Sequence, residues 1–97
     1  PYTVELNDIP VYLVQHHRSP ELFDRAKDNF DTLYREGEDS ARIMCVSTHP
    51  YITGAAHRIK YYEQIFEYIC QHDEVVFMTG EEILDWYTAE TKRAKIL

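Results

Sequence analysis

His49 follows the apolar run Ile43–Val46 and precedes Pro50 and a loop that contains Thr53-Gly54. An imidazole has an unperturbed pKa of about 6.5, so a histidine fixed at the end of a buried segment can act as a general acid or base near neutral pH. Asp8 closes the short segment Tyr2–Leu6. Its carboxylate can accept a hydrogen bond from the His49 ring, fix the ring's tautomer and favour its protonated form. These two residues are the candidate catalytic pair. Three others are candidate substrate contacts: Asn7 beside Asp8, Tyr51 two residues after His49, and Arg58 at the start of a helix. Tyr51 offers an aromatic face for a sugar or heterocyclic ring, and Arg58 offers a cation for an anionic or carbonyl-bearing substrate. Spacing alone leaves the alternative open, in which His49 caps a loop, Asp8 caps a turn and Arg58 lies on a solvated helix start.

No metal site is read from this chain. His16 and His17 are adjacent, and adjacent histidines diverge in an extended segment. There is no His-x-x-x-His pair and no Cys/His cluster with zinc-ligand spacing. Cys45 and Cys70 each fall in an apolar pattern, which reads as two buried free thiols in a reducing compartment. His72 lies between a helix and a strand, away from His49, and receives no chemical role.

The elements that must position these residues alternate. Tyr2–Leu6 reads as a first strand. Ser19-Pro20 opens a helix, with Ser as N-cap and Pro at the first helical position. That helix carries Leu22, Phe23, Ala26, Phe30, Leu33 and Tyr34 on one stripe, and Gly37 is expected in the left-handed position that closes it. Arg42–Thr48 is the strongest strand, nearly continuous in apolar residues. A second helix runs from Arg58 to about Gln71, with Ile59, Tyr62, Ile65, Phe66 and Ile69 on one face. Val75–Met78 reads as a third strand. Thr79-Gly80-Glu81-Glu82 is a capping box that starts a third helix, in which Trp86 is expected to anchor helix to sheet and Tyr87 to face the core. The order β-α-β-α-β-α predicts an α/β fold of three β-α units with parallel strands and right-handed crossovers. Functional groups in such folds sit past the C-terminal ends of strands, which selects Asn7-Asp8, His49-Pro50 and Thr79-Gly80.

Apolar residues are 44% and charged residues 28% of 97, a globular composition for one small domain or a piece of a larger one. The formal net charge of −7 argues against a nucleic-acid binder, which needs basic stripes. No apolar run approaches the ~20 residues that span a bilayer. No leader is visible, and the cysteines suit the cytoplasm. A chain this short buries only about 60–65% of its unfolded surface, so packing against another chain would stabilise it.

The run Met44-Cys45-Val46-Ser47-Thr48-His49-Pro50-Tyr51-Ile52-Thr53-Gly54, with His57-Arg58, resembles the last histidine motif of polysaccharide deacetylases of the NodB type. It is most similar to the cytoplasmic branch that includes cofactor-independent allantoinases. Pro1-Tyr2-Thr3 with Asn7-Asp8 resembles the preceding strand of that branch, and Thr79-Gly80-Glu81-Glu82-Ile83 with Asp85-Trp86-Tyr87 resembles its closing helix. The resemblance covers the chain, residues 1–97, as the C-terminal part of such a domain. It implies a partial, TIM-like (β/α) barrel and hydrolysis of a non-peptide carbon–nitrogen amide bond, as in carbohydrate deacetylation. His49 would be the general acid and Asp8 the carboxylate that tunes it. Metal-dependent members hold a divalent cation such as zinc with one Asp and two His. Neither those motifs nor the family's base is present here, so the resemblance implies no cofactor in this chain and no activity for it alone. The start at Pro1, within a strand, reads as a truncated or processed end. Pro50 after the histidine, where many sugar-specific members carry an acid, favours a small amide or cyclic ureide over an N-acetyl sugar. Three strands cannot close a barrel, so a homo-oligomer or a missing N-terminal half is expected to cover the open edges. The competing expectation is a non-catalytic binding or assembly module on the half-barrel.

Overall fold

A computed structural model describes residues 3–96, with side chains described for 3–92. Three α-helices dominate: α1 Glu21–Glu36, α2 Ile59–Ile69 and α3 Gly80–Ile96. A single π-helical turn, Ile9–Val14, follows Asp8. Helix α1 buries Leu22, Ala26 and Phe30, and α2 buries Ile65 and Ile69. These positions recur every four residues, so each helix presents one apolar stripe, and α1 packs on α2 along those stripes. Leu6, Val11, Tyr12 and Ile52 complete the core from the N-terminal segment and the loop before α2. Among the described residues, no helix is long and apolar enough to cross a membrane.

The expected α/β fold of parallel strands, and with it the partial (β/α) barrel, is not what the chain adopts. Among the described residues, the strand contact is one parallel bridge, Asn7 to Ser47, in which the Ser47 N–H donates to the Leu6 carbonyl (2.8 Å) and the Asp8 N–H to the Ser47 carbonyl (3.1 Å). Residues 41–46 and 75–79 adopt no regular secondary structure and form no ladder. The physical reason is cover. A parallel strand needs a hydrogen-bonding neighbour and apolar packing on its faces, and here α1 and α2 bury their stripes against each other. Ile43 and Phe77 are left exposed, and Val76 is 76% exposed. Without a sheet there is nothing for α3 to anchor to. Trp86 and Tyr87 lie on the surface, and α3 contributes no residue to the buried core among the described residues.

Other local expectations divide in the same way. The capping box forms: the Thr79 N–H donates to Glu82 Oε1 (3.0 Å), and the Glu82 N–H donates to Thr79 Oγ1 (3.2 Å). Ser19 does not cap α1, whose N-cap is Pro20 with no side-chain cap. The Tyr12 hydroxyl takes that role, accepting the Leu22 N–H (3.3 Å) and donating to the Ser19 carbonyl (2.6 Å). Gly37 keeps a right-handed φ of −66° as its N–H continues the bonding to Leu33, so the left-handed closure is not used. Cys45 and Cys70 are free thiols, as expected, but both are exposed rather than buried, because the sheet that would have covered Cys45 is absent.

The Tyr12 hydroxyl serves two backbone groups at a buried helix start. Tyr12→Phe is therefore expected to lower unfolding free energy by about 1–2 kcal/mol. Trp86→Ala, at a side chain 45% exposed, is expected to change it by about 0.5 kcal/mol or less. Urea titrations of the two variants, at unchanged m, check the contrast.

Candidate functional site

The Asn7–Ser47 bridge sets two chain segments side by side, and each delivers one member of the pair. On the first, Asn7 Oδ1 accepts the Ile9 N–H (3.1 Å) and its carbonyl accepts the Val11 N–H (3.2 Å), which bends the chain into the π-helical turn directly after Asp8. On the second, the chain turns sharply after His49: the N–H groups of Ile52 and Thr53 both donate to the His49 carbonyl (3.0 Å each). Gly54 lies so close to the Pro50 backbone that a Cβ there would collide with the Pro50 carbonyl oxygen, so a side chain at this position would force the turn open.

Asp8 and His49 are in contact. The Asp8 side chain is 0% exposed. Its Oδ2 accepts the backbone N–H of His49 (2.6 Å) and the hydroxyl of Thr53 (2.7 Å), and its Oδ1 faces His49 Nδ1 at 2.8 Å. Burial pushes the Asp8 carboxyl up. The Thr53 hydroxyl, the His49 ring and the His49 amide outweigh burial, and the net direction is below the ordinary value of 3.8. Asp8 is therefore a carboxylate and accepts, so Nδ1 of His49 is the donor. The ring's other nitrogen, Nε2, has no protein hydrogen-bond partner among the described residues, and the His49 side chain is 37% exposed. The arrangement buries the negative charge and leaves the second ring nitrogen of a partly exposed side chain without a partner among the described residues.

The three expected substrate contacts are placed differently. Tyr51 is exposed, with its ring edge-on to His49 at 6.2 Å between centroids. Arg58 lies with its guanidinium over the Tyr12 ring (4.6 Å), and one Nη donates to the Ile52 carbonyl (3.5 Å). Its Nε is buried without a hydrogen-bond partner among the described residues. Asn7 is 2% exposed, and its amide shapes the turn that carries Asp8. Thr53 went unassigned in the sequence, where it belonged only to the loop; the signal available was a buried-capable hydroxyl four residues after the histidine in a tight turn. His17 is drawn away from His49 into a network with Glu21 and Arg25. His72 packs among Phe30, Tyr34 and Tyr68, with its Nδ1 on the Tyr68 carbonyl (2.9 Å).

Among the described residues, no three His, Cys, Asp or Glu side chains are grouped to hold a metal ion. Asp8 spends its oxygens on the three donors already named, so the residues present do not fit a divalent cation.

A carboxyl depressed in the folded state adds stability above its unfolded pKa and loses it as pH falls through the folded pKa. Asp8 should therefore contribute an acid limb to unfolding that begins below the ordinary value of 3.8. Asp8→Asn is expected to be less stable than the parent at neutral pH and to lose less stability on acidification. Denaturant titrations at a series of pH values read both slopes, and parallel curves for the two proteins would contradict the assignment.

No family model and no solved structure matches the chain. In sequence it is 30% identical over 92 residues to a Schizosaccharomyces pombe protein named "Putative polysaccharide deacetylase", an alignment that covers 93% of this chain. The chain spans 29% of that relative's length. The similarity agrees with the family resemblance carried by the His49 motif and extends over nearly all of the chain.

Proposed function

We propose that this chain forms part of a deacetylase-like hydrolase that cleaves a non-peptide carbon–nitrogen bond, with His49 as general acid. The observation that carries the reading is the Asp8–His49 pair: a buried carboxylate 2.8 Å from Nδ1, with Nε2 on the open side. In amide hydrolysis, water adds to the carbonyl carbon and the C–N bond breaks. The departing nitrogen needs a proton, which Nε2 supplies while Asp8 stabilises the charged ring. The similarity to a deacetylase supplies the reaction class. Tyr51 and Arg58 are the side chains proposed to contact a small amide, cyclic ureide or N-acetyl sugar. Activation of water is assigned to residues outside this chain, which spans 29% of the length of the relative that it resembles. The NodB-type branch, the C-terminal placement and the inactivity of this chain alone belong to the same reading.

Turnover of N-acetylated and small amide substrates by the complete protein tests it. His49→Ala is expected to lower kcat/KM by about a hundredfold or more, the range for an acid–base group. Near-normal turnover by that variant would remove His49 from the mechanism.

A groove of about 630 Å³ opens between α1, α2 and the irregular segments around Met44 and Phe77, lined by Phe30, Met44, Ile65, Phe66 and Phe77 among others. Apolar surface of this kind is unfavourable in water. We propose that the isolated chain covers it by self-association. Sedimentation velocity should show a dimer or larger species across micromolar concentrations, and a stable, soluble monomer would contradict this.

A further inference from the structure

We propose that Thr53 is the positioning residue of the His49 centre: its buried hydroxyl, donating to Asp8 Oδ2, fixes the carboxylate plane so that Oδ1 meets Nδ1 and Nε2 faces outward. The inference rests on the reading of His49 as a proton donor. It adds the residue that decides which ring nitrogen is available.

A carboxylate turns about a soft terminal torsion, so a single partner leaves its plane loosely defined. Here two of its three donors belong to His49: the backbone N–H at 2.6 Å and Nδ1 at 2.8 Å. Those two move together with the histidine. Thr53 supplies the third donor at 2.7 Å from a different residue. It is held by its own N–H on the His49 carbonyl and by Ile52, which is buried in the core. The Thr53 hydroxyl therefore ties the carboxylate to the buried turn after His49, through a donor that does not rotate with the ring.

The hydroxyl also selects a charge state. Facing an ionised carboxylate it can only donate, and a donor stabilises the ionised form. An ionised Asp8 requires the proton on Nδ1, which makes Nε2 the nitrogen that exchanges protons with solvent or substrate. If Asp8 were protonated, it could donate to Nδ1 instead, and the ring would present the opposite tautomer. The Thr53 side chain, the Asp8 charge and the His49 tautomer form one linked chain of hydrogen bonds. Gly54 keeps it closed, because a bulkier residue there would push the loop off Pro50.

The test is 15N and 13C NMR of the 97-residue chain, reading the His49 ring tautomer and the Asp8 carboxyl titration in Thr53→Val and Thr53→Ser. Thr53→Val keeps the shape and removes the donor. It is expected to lower the Nδ1–H population and to raise the pH at which Asp8 titrates, and Thr53→Ser is expected to restore both. A role in packing alone predicts the reverse pattern, with valine silent and serine perturbed, and that result would overturn the proposal. If the valine variant does not fold, Thr53→Ala against Thr53→Ser makes the same comparison. In the complete protein, Thr53→Val should lower kcat by about tenfold with KM little changed, the effect of one lost hydrogen bond to a charged group. A tautomer shift in Thr53→Val together with a fully active His49→Ala would support the positioning role and overturn only the acid reading. An inactive His49→Ala with no tautomer shift in Thr53→Val would overturn the positioning role alone.

Discussion

The structure depends on keeping one buried negative charge satisfied. A carboxylate removed from water costs several kcal/mol unless donors replace its hydration. Asp8 receives three such donors, all from the segment His49–Thr53, more than forty residues along the chain. That requirement draws the N-terminal segment onto the loop before α2. The parallel bridge between Asn7 and Ser47 holds the two backbones in register for it. If the loop moved away, the charge would be stranded, so the contact is either fully made or strongly unfavourable.

Tyr12 connects this site to the helices. It lies in the π-helical turn that begins directly after Asp8, and the turn points its ring inward. Its hydroxyl closes the start of α1 through Ser19 and Leu22, while its ring face carries the Arg58 guanidinium next to α2. Burial pushes the Tyr12 phenol up from its ordinary value of 10.0, so it stays protonated and able to donate. The starts of α1 and α2 are therefore referenced to the same side chain, four residues from the carboxylate. The core residues Leu22 and Ile52 fill the space between them.

What could be read in the sequence follows the range of the interaction. Helical stripes and the Thr79–Glu82 capping box depend on residues three or four apart, so local spacing sufficed to place α1, α2 and the start of α3, although Tyr34 and Phe66, expected on the buried stripes, are exposed. Strands depend on partners far along the chain, and an apolar run such as Ile43–Val46 states only that cover is wanted. It does not state that cover is present, and here it is partial: Met44 and Val46 pack against the core while Ile43 and Cys45 stay exposed. The Asp8–His49 contact was anticipated from a sheet that does not form. It is nonetheless made, because the one bridge at Asn7–Ser47 is the part of that topology the contact needs. Thr53 and the Tyr12 cap escaped notice because a hydroxyl's partner is set by a tertiary turn, not by its neighbours in sequence.

The asymmetry of the pair bears on the chemical role proposed for it. If Asp8 served only to tie the loop down, the His49 N–H and the Thr53 hydroxyl would suffice, and both of those donors sit on Oδ2. The imidazole adds a third bond, on Oδ1, from a side chain that remains 37% exposed. For stability alone that is a modest gain, since a partly solvated ring can hydrogen-bond to water instead. For the proposed proton transfer the gain would be specific, since a buried carboxylate on one ring nitrogen fixes the tautomer and leaves the other nitrogen unpaired. A partly exposed histidine with one ring nitrogen on a fully buried anion is the arrangement that the proposed acid–base role calls for.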